Sequence, residues 1–113
     1  MPFHLPSFYR SHLDLLDRRN AAAIAIAVER FRRKHGELPE TLDALAPEFI
    51  GRVPDSIFNE GPFDYTRGDI KIVTKEETYT QPEEAHHVHG FEISSKDRGR
   101  RFREQVVRFV VEQ

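Results

Sequence analysis

A long amphipathic pattern fills the first third of this chain and fixes most of what the chain can fold into. Between positions 13 and 31, apolar residues recur in steps of three and four, which is the spacing of one helical face. Leu15, Ala22 and Ile26 widen that face on one flank. We therefore expect a helix whose middle is buried on more than half of its circumference.

Local sequence features mark where this helix is expected to begin and end. Ser11 can act as an N-cap, and the ten residues before it contain two prolines and predict an irregular lead-in. At the other end, the basic run Arg32–His35 suits the helix dipole, and Gly36 can adopt the positive φ that ends many helices. The pattern predicts a helix over residues 11–35 and a single domain over residues 11–113.

A short second helix is predicted directly after this glycine. Pro39 suits a first helical turn, and Pro47 can stop the helix two turns later. Residues 48–61, which include Pro54, mix turn residues with dispersed apolar ones and predict an ordered loop packed by its own side chains. The expected apolar contacts of the short helix are Leu38, Leu42 and Leu45.

The apolar period changes to two after Pro62, which predicts β-strands. Residues 63–66 and 70–74 alternate on either side of Arg67-Gly68-Asp69. A glycine between two alternating runs is typical of a hairpin turn. We therefore expect a hairpin whose turn lies at Gly68.

The rest of the chain adds strands to this hairpin. Residues 76–85 are polar and predict a loop, and residues 88–94 predict a further strand. The tail, residues 101–112, fits a helix by its spacing, but its β-branched and aromatic residues favour a strand paired with residues 88–94. The predicted fold class is α+β, with a long N-terminal helix packed on a three- or four-stranded antiparallel sheet and a short second helix.

Composition narrows the function classes. The chain is 38% apolar, 11% aromatic and 32% charged, which describes a lean core inside a charged surface. A net charge of −2 argues against a nucleic-acid partner, and the absence of cysteine excludes disulfides and thiolate chemistry. The longest apolar stretch, residues 21–28, is far shorter than the roughly 20 residues of a transmembrane helix. We expect a soluble chain whose anchor, if it has one, lies outside this sequence.

Several spacings match one known pattern together. The segment VERFRRKHGELPETLDAL at 28–45 is followed by VPD at 53–55 and PFDY at 62–65. Residues 21–67 thereby resemble the region after the membrane anchor in type II secretion major pseudopilins and related type IV pilin-like domains. The match does not include the prepilin leader or the membrane helix. The positions that carry it are Phe31, Gly36, Leu38, Pro39, Leu42, Leu45, Pro54 and Tyr65.

The resemblance implies a pilin-like α+β domain with a non-enzymatic, structural or protein-interaction role. It also implies a longer cell-envelope or secretion-related protein, located outside the cytoplasm if an anchor precedes this region. Protein partners are expected, and a homo-oligomer is compatible with the sequence. Phe31 should be buried where the long helix, the short helix and the sheet meet.

One cluster of possible metal ligands stands out. In a strand, His87 and His89 share a face and His86 points to the other side. With a carboxylate from Glu83 or Glu84, the two imidazoles could hold Zn²⁺, although the spacing matches no known zinc signature. The simpler interpretation is a solvated strand edge.

A basic turn and an acidic loop complete the candidate sites. The turn places five cations among eight residues, which could contact phosphate, but no aromatic stacking platform accompanies it. The loop carboxylates Asp55, Glu60, Asp64 and Asp69, with Asn59 nearby, could bind Ca²⁺ if they converge, but their spacing is not that of an EF-hand. The cations of the turn are Lys96, Arg98, Arg100, Arg101 and Arg103.

No pattern of catalytic residues is present. Neither a nucleophile elbow, nor a phosphate-binding glycine loop, nor an acid–base pair can be assigned from the spacing. We therefore expect a protein that is not an enzyme and needs no cofactor, with zinc or calcium as alternatives. The alternative function is a small metal-binding or nucleic-acid-binding module.

Overall fold

The structure, a computed structural model, describes residues 7–96 and 105–112. One long helix packs on a three-stranded antiparallel sheet, so the α+β prediction is confirmed. The elements are α1 (Ser7–His35), a 3₁₀ turn (Leu42–Leu45), β1 (Asp64–Lys75), β2 (Glu84–Lys96) and β3 (Gln105–Glu112).

The helix begins earlier than the sequence indicated. Ser11 lies inside α1, which starts at Ser7, so the N-cap assignment was wrong. No glycine or proline interrupts the chain between the two serines, and the helical conformation can therefore extend back toward Pro6. The part of the predicted lead-in over residues 1–6 lies outside the described residues.

The second helix is shorter than predicted. Leu42–Leu45 form a single 3₁₀ turn, and Pro39 precedes it in non-helical chain instead of starting a helix. Leu42 and Leu45 are nevertheless buried, as predicted. Two leucines three residues apart lie on one side of a 3₁₀ turn as well as of an α-turn, so the burial needs no full helix.

The predicted hairpin turn at Gly68 was wrong. Residues 64–75 form one continuous strand, and Gly68 adopts a φ of 104° within it, opposite Gly90 of β2. A glycine can adopt this φ within a sheet, so Gly68 marks a local irregularity of β1 and not a turn. The true connection between β1 and β2 covers residues 76–83.

The sheet has the order β1-β2-β3, and both pairings are antiparallel. The tail is a strand over residues 105–112 and pairs with residues 90–96, which confirms the favoured interpretation. Gly90 allows this pairing, because a Cβ there would lie 1.9 Å from the carbonyl oxygen of Val111. β2 is thus the central strand, and β1 and β3 are the two edges.

The core lies between α1 and one face of the sheet. Phe91 and Ile93 of β2 and Ile24 of α1 are fully buried in this core. The 3₁₀ turn and the following loop close one end, with Phe49, Ile50 and Val53 packed against the same cluster. The buried members are Ala21, Ile24, Ala25, Ala27, Val28, Leu42, Leu45, Phe63, Phe91 and Ile93.

Gly36, directly after α1, has the backbone geometry that the sequence predicted. Phe31, near the end of α1, is less buried than predicted. Gly36 adopts a φ of 78°. Phe31 is only half-buried, and its ring packs on His35 at 4.3 Å and Phe49 at 5.4 Å between centroids. The loop residue Phe49 thus covers part of this ring at the end of the core.

The strand residue Tyr65 holds the segment after Gly36. The hydroxyl of Tyr65 donates a hydrogen bond of 2.7 Å to the carbonyl of Pro39, which is itself buried. Burial raises the pKa of Tyr65 above its ordinary value, and the nearby Arg67 opposes this rise. Pro54 is half-buried in the loop before β1.

One flank of α1 is open to solvent. Leu15 is 64% exposed and Ile26 is 62% exposed, whereas Ala22 between them is half-buried. The expectation that this flank widens the buried face was therefore wrong for the two large side chains. The sheet is too narrow to reach around the helix, since β3 is its last strand on that side among the described residues.

Candidate functional site

A buried carboxylate joins three parts of the fold. Asp17 lies on α1 and has no exposed surface. Its Oδ2 accepts hydrogen bonds from the hydroxyls of Ser56 at 2.7 Å and Ser95 at 2.8 Å. Its Oδ1 accepts one from the backbone N–H of Ile57, also at 2.7 Å. Asp17 therefore ties α1 to the loop before β1 and to the end of β2.

Asn59 extends this network through the loop. Its backbone N–H donates to Oγ of Ser56 at 3.1 Å, and its Nδ2 donates to the carbonyl of Pro62 at 3.0 Å. Its Oδ1 accepts from the backbone N–H of Lys96 at 2.9 Å. Ser56 also forms an isolated β-bridge with Gly61. The loop is thus closed on itself and fastened to the end of β2.

The chemistry of this network is structural. Asp17 is fully enclosed, so a substrate in solution has no access to its carboxylate. The two hydroxyls and the backbone N–H that face Asp17 satisfy it as a hydrogen-bond acceptor. A carboxylate held in this way positions the elements around it and does not act as a general base.

Sequence reasoning missed this network, although one signal for it was present. Asp17 stands four residues after Leu13 and four before Ala21, which places its carboxylate on the apolar face of α1. A charged residue on such a face needs buried partners. The serines and Asn59 that supply them look like ordinary turn residues in the sequence.

The histidine cluster lies on the exposed part of the β1–β2 ribbon. His87 pairs with Lys71 and His89 with Asp69 on one face, and His86 pairs with Ile72 on the other. The three imidazoles are exposed. Among the described residues, no three His, Asp or Glu side chains converge closely enough to hold a metal ion.

The carboxylates near these histidines are engaged in separate contacts or exposed to solvent. Glu83 forms an ion pair with Lys71, and Glu84 is exposed at the start of β2. The Nδ1 of His89 lies 3.8 Å from Oδ1 of Asp69, an exposed contact that is an ion pair only when the imidazole is protonated. The cluster is therefore divided between two faces and several separate contacts.

The other candidate residues are dispersed or lie outside the described chain. Asp55, Glu60 and Asp64 are exposed, and Asn59 uses its side chain inside the network. Lys96 is exposed at the end of β2. The remaining cations of the basic turn, Arg98, Arg100, Arg101 and Arg103, lie outside the described residues.

A groove runs between α1 and the C-terminal end of β3. Its floor is apolar, formed by Ala25, Ile26 and Val111, and Arg30 and Arg33 stand at its rim. Its volume is about 320 Å³. It adjoins the outer edge of β3, to which no described strand is paired. Apolar surface of this kind beside an open strand edge is suited to contact with another protein.

The chain matches no family model, no curated protein and no solved structure. Its function is therefore inferred from its own residues. Within the part of the chain that the structure describes, no helix combines the length and the apolar character needed to cross a membrane.

Proposed function

We propose that this chain is a non-enzymatic structural domain, resembling the soluble part of a pseudopilin, that associates with a second copy of itself through the outer edge of β3. The domain would form part of a longer cell-envelope or secretion-related protein. The observation that carries the proposal is the difference between the two edges of the sheet.

β1 has the features by which edge strands avoid association. Five of its twelve residues are charged, and Gly68 breaks its regularity with a φ of 104°. Charges and irregularities on an edge strand hinder pairing with another strand. β3 has the opposite character, with the sequence QVVRFVVE and only Arg108 and Glu112 charged. An apolar edge strand of this type favours pairing with a further strand.

The exposed flank of α1 lies next to the outer edge of β3 and extends the proposed association surface. Leu15 and Ile26 are eleven residues apart, which places them on one face after about three helical turns. Ile26 lines the groove beside Val111, so the apolar flank of the helix is continuous with the end of β3. A partner that covers one of these surfaces can therefore cover both.

A second copy fits because β3 is complementary to itself. In an antiparallel pairing centred on Val110, Arg108 of one copy faces Glu112 of the other, and Phe109 faces Val111. The pairing extends the sheet to six strands and sets the two α1 helices side by side above it. Their facing flanks would then bury Leu15 and Ile26.

Sedimentation velocity tests this assembly. We expect the protein to change from monomer to dimer between about 1 µM and about 200 µM, because association depends on protein concentration. Val110→Lys places a charge on the half-buried edge of β3 and should weaken the dimer at least ~10-fold. Ile26→Ser should weaken it as well, and this substitution leaves the sequence of β3 unchanged.

The matched control is Val73→Lys, since Val73 is a 39% exposed valine on the opposite edge strand. It should leave the dimer unchanged. A monomer at every concentration would contradict the proposal, and so would equal effects of Val73→Lys and Val110→Lys. Ile26→Ser decides the matter if Val110→Lys does not fold, because Ile26 lies on the solvent side of α1.

A further inference from the structure

A second cleft, of about 540 Å³, opens between the end of α1 with the segment after it and the paired strands β1 and β2. It is lined by Arg32, Gly36 and Leu38 from the end of α1 and the segment after it, and by Arg67 and His89 from β1 and β2. The cleft shares no residue with the β3 edge or with the groove beside it. Gly36, Glu37, Arg67 and His89 are exposed, so the cleft is open to solvent.

Two arginines line this cleft, Arg32 from α1 and Arg67 from β1. Arg67 pairs with the core residue Phe91 and therefore lies on the face of the sheet that α1 packs against. Its Nη1 donates to the carbonyl of Leu38 at 3.3 Å, which uses one of the five N–H donors of the side chain. The Nη2 of Arg32 lies 3.2 Å from Oε2 of Glu29. Both cations are therefore held in place by the protein itself.

Arg32 also has an unsatisfied donor. Its Nε is buried and has no hydrogen-bond acceptor among the described residues. A buried N–H without an acceptor is unfavourable, and it is rare in folded proteins. Arg32 therefore has hydrogen-bonding capacity that the described residues do not use.

The backbone leaves the cleft open between these cations. Gly36 and Gly68 both adopt positive φ values, 78° and 104°, and both line the cleft. No atom lies within 4 Å of the point where a Cβ would stand on either glycine. The φ of Gly68 belongs to no turn, since β1 continues through it. A glycine adopts this φ without strain and leaves this wall of the cleft without a side chain.

We propose that this cleft binds the carboxylate group of a small organic acid. The guanidinium groups of Arg32 and Arg67 bind the carboxylate, the imidazole of His89 contributes a further N–H, and Leu38 contacts the apolar part of the ligand. Carboxylates of the chain already surround these groups, with Glu29 beside Arg32, Glu37 in the lining and Asp69 beside His89. These three carboxylates offset the two guanidinium charges, so recognition depends on directed N–H donors more than on net charge, which favours a monoanion over a doubly charged phosphate.

The probes are sodium benzoate and inorganic phosphate, added to the ¹⁵N-labelled chain at constant ionic strength with chloride as the reference anion. We expect benzoate to shift the amide signals of Gly36, Leu38 and Gly68 in a saturable manner. The dissociation constant should be on the order of 1 mM, as expected of a ligand with few atoms. Phosphate should bind at least ~10-fold more weakly, and chloride should produce no saturable shift.

Substitutions assign the binding to the cleft. Arg67→Gln and Arg32→Gln should each weaken benzoate binding at least ~10-fold, and Arg67→Lys should restore little of it because the guanidinium plane is lost. Arg52→Gln, at an exposed arginine outside the lining, should have no effect. Tighter binding of phosphate than of benzoate would overturn the proposal. Equal effects of Arg52→Gln and Arg32→Gln would overturn it as well. If Arg67→Gln does not fold, the result with Arg32→Gln decides whether the proposal holds.

Discussion

The carboxylate of Asp17 and the hydroxyl of Ser95 lie 2.8 Å apart, although 78 positions separate them in the chain. Ser56 donates to the same carboxylate oxygen, so a residue of α1, a residue of the loop and a residue of β2 meet at one atom. The contact is buried, and its strength therefore depends on all three elements being in place.

Replacing Asp17 should destabilise the fold strongly. Asp17→Ala leaves the hydroxyls of Ser56 and Ser95 and the backbone N–H of Ile57 without their acceptor. We expect the free energy of unfolding to fall by about 3 kcal/mol, since buried donors would lose their bonds to a charged group. Urea unfolding followed by circular dichroism measures this loss.

Asp14 offers the matched control for that substitution. It is another aspartate of α1, partly exposed, and its Oδ1 forms an ion pair of 3.1 Å with Arg18. Asp14→Ala should change the free energy of unfolding by no more than about 0.5 kcal/mol. Similar losses for Asp14→Ala and Asp17→Ala would show that the buried network does not hold the elements together.

Glycine substitutions should separate steric overlap from backbone strain. A methyl group at Gly90 would overlap the carbonyl oxygen of Val111, whereas at Gly36 it would enter open space. Gly36→Ala should therefore cost about 1 kcal/mol through its positive φ alone, and Gly90→Ala should cost more than about 2 kcal/mol by displacing β3. Thermal and urea unfolding of the two variants provide the comparison, and a larger loss at Gly36 would contradict it.

Phe31 should contribute less than a fully buried phenylalanine. Its ring is half-buried and packs on the rings of His35 and Phe49 at the end of the core. Phe31→Ala should lower the free energy of unfolding by about 2 kcal/mol, below the 3–5 kcal/mol or so of a fully buried ring. Tyr79→Ala is the control, since Tyr79 is fully exposed and its loss should be negligible. A loss below about 1 kcal/mol for Phe31→Ala would show that the loop does not cover this end of α1.

Tyr65 should make the stability depend on pH in alkaline solution. Burial raises its pKa in the folded state, so the unfolded chain loses this proton at a lower pH than the folded chain does. The stabilisation is complete below about pH 10 and is lost as the pH rises from there toward the folded-state pKa. Tyr65→Phe should reduce the alkaline slope of the unfolding free energy, measured by urea titrations between about pH 8 and pH 11. An unchanged slope would contradict the assignment.

The sequence predicted the elements whose signals are local and periodic. The steps of three and four to Phe31, the positive φ of Gly36 and the β-branched tail each depend on neighbouring residues, and all three appear in the structure. Gly68 was misread because a glycine in a strand and a glycine in a turn have the same sequence signal. Only the pairing with Gly90 distinguishes them, and that contact is not local.

The buried network could be predicted only in part. The position of Asp17 on an apolar face indicates that it needs partners, but nothing in the sequence selects Ser56 and Ser95 from the other hydroxyls. The exposure of Leu15 and Ile26 was equally hidden, because the helical pattern shows which residues are apolar and does not show how far the sheet extends.

Amide hydrogen exchange of β3 at several protein concentrations tests self-association through its edge most directly. Antiparallel pairing leaves alternate amides of an edge strand bonded to β2 and the others directed outward. Association through this edge predicts that the outward amides are protected in concentrated protein and lose that protection on dilution, while the amides bonded to β2 stay protected throughout. Outward amides that exchange at the unprotected rate at every concentration would contradict it.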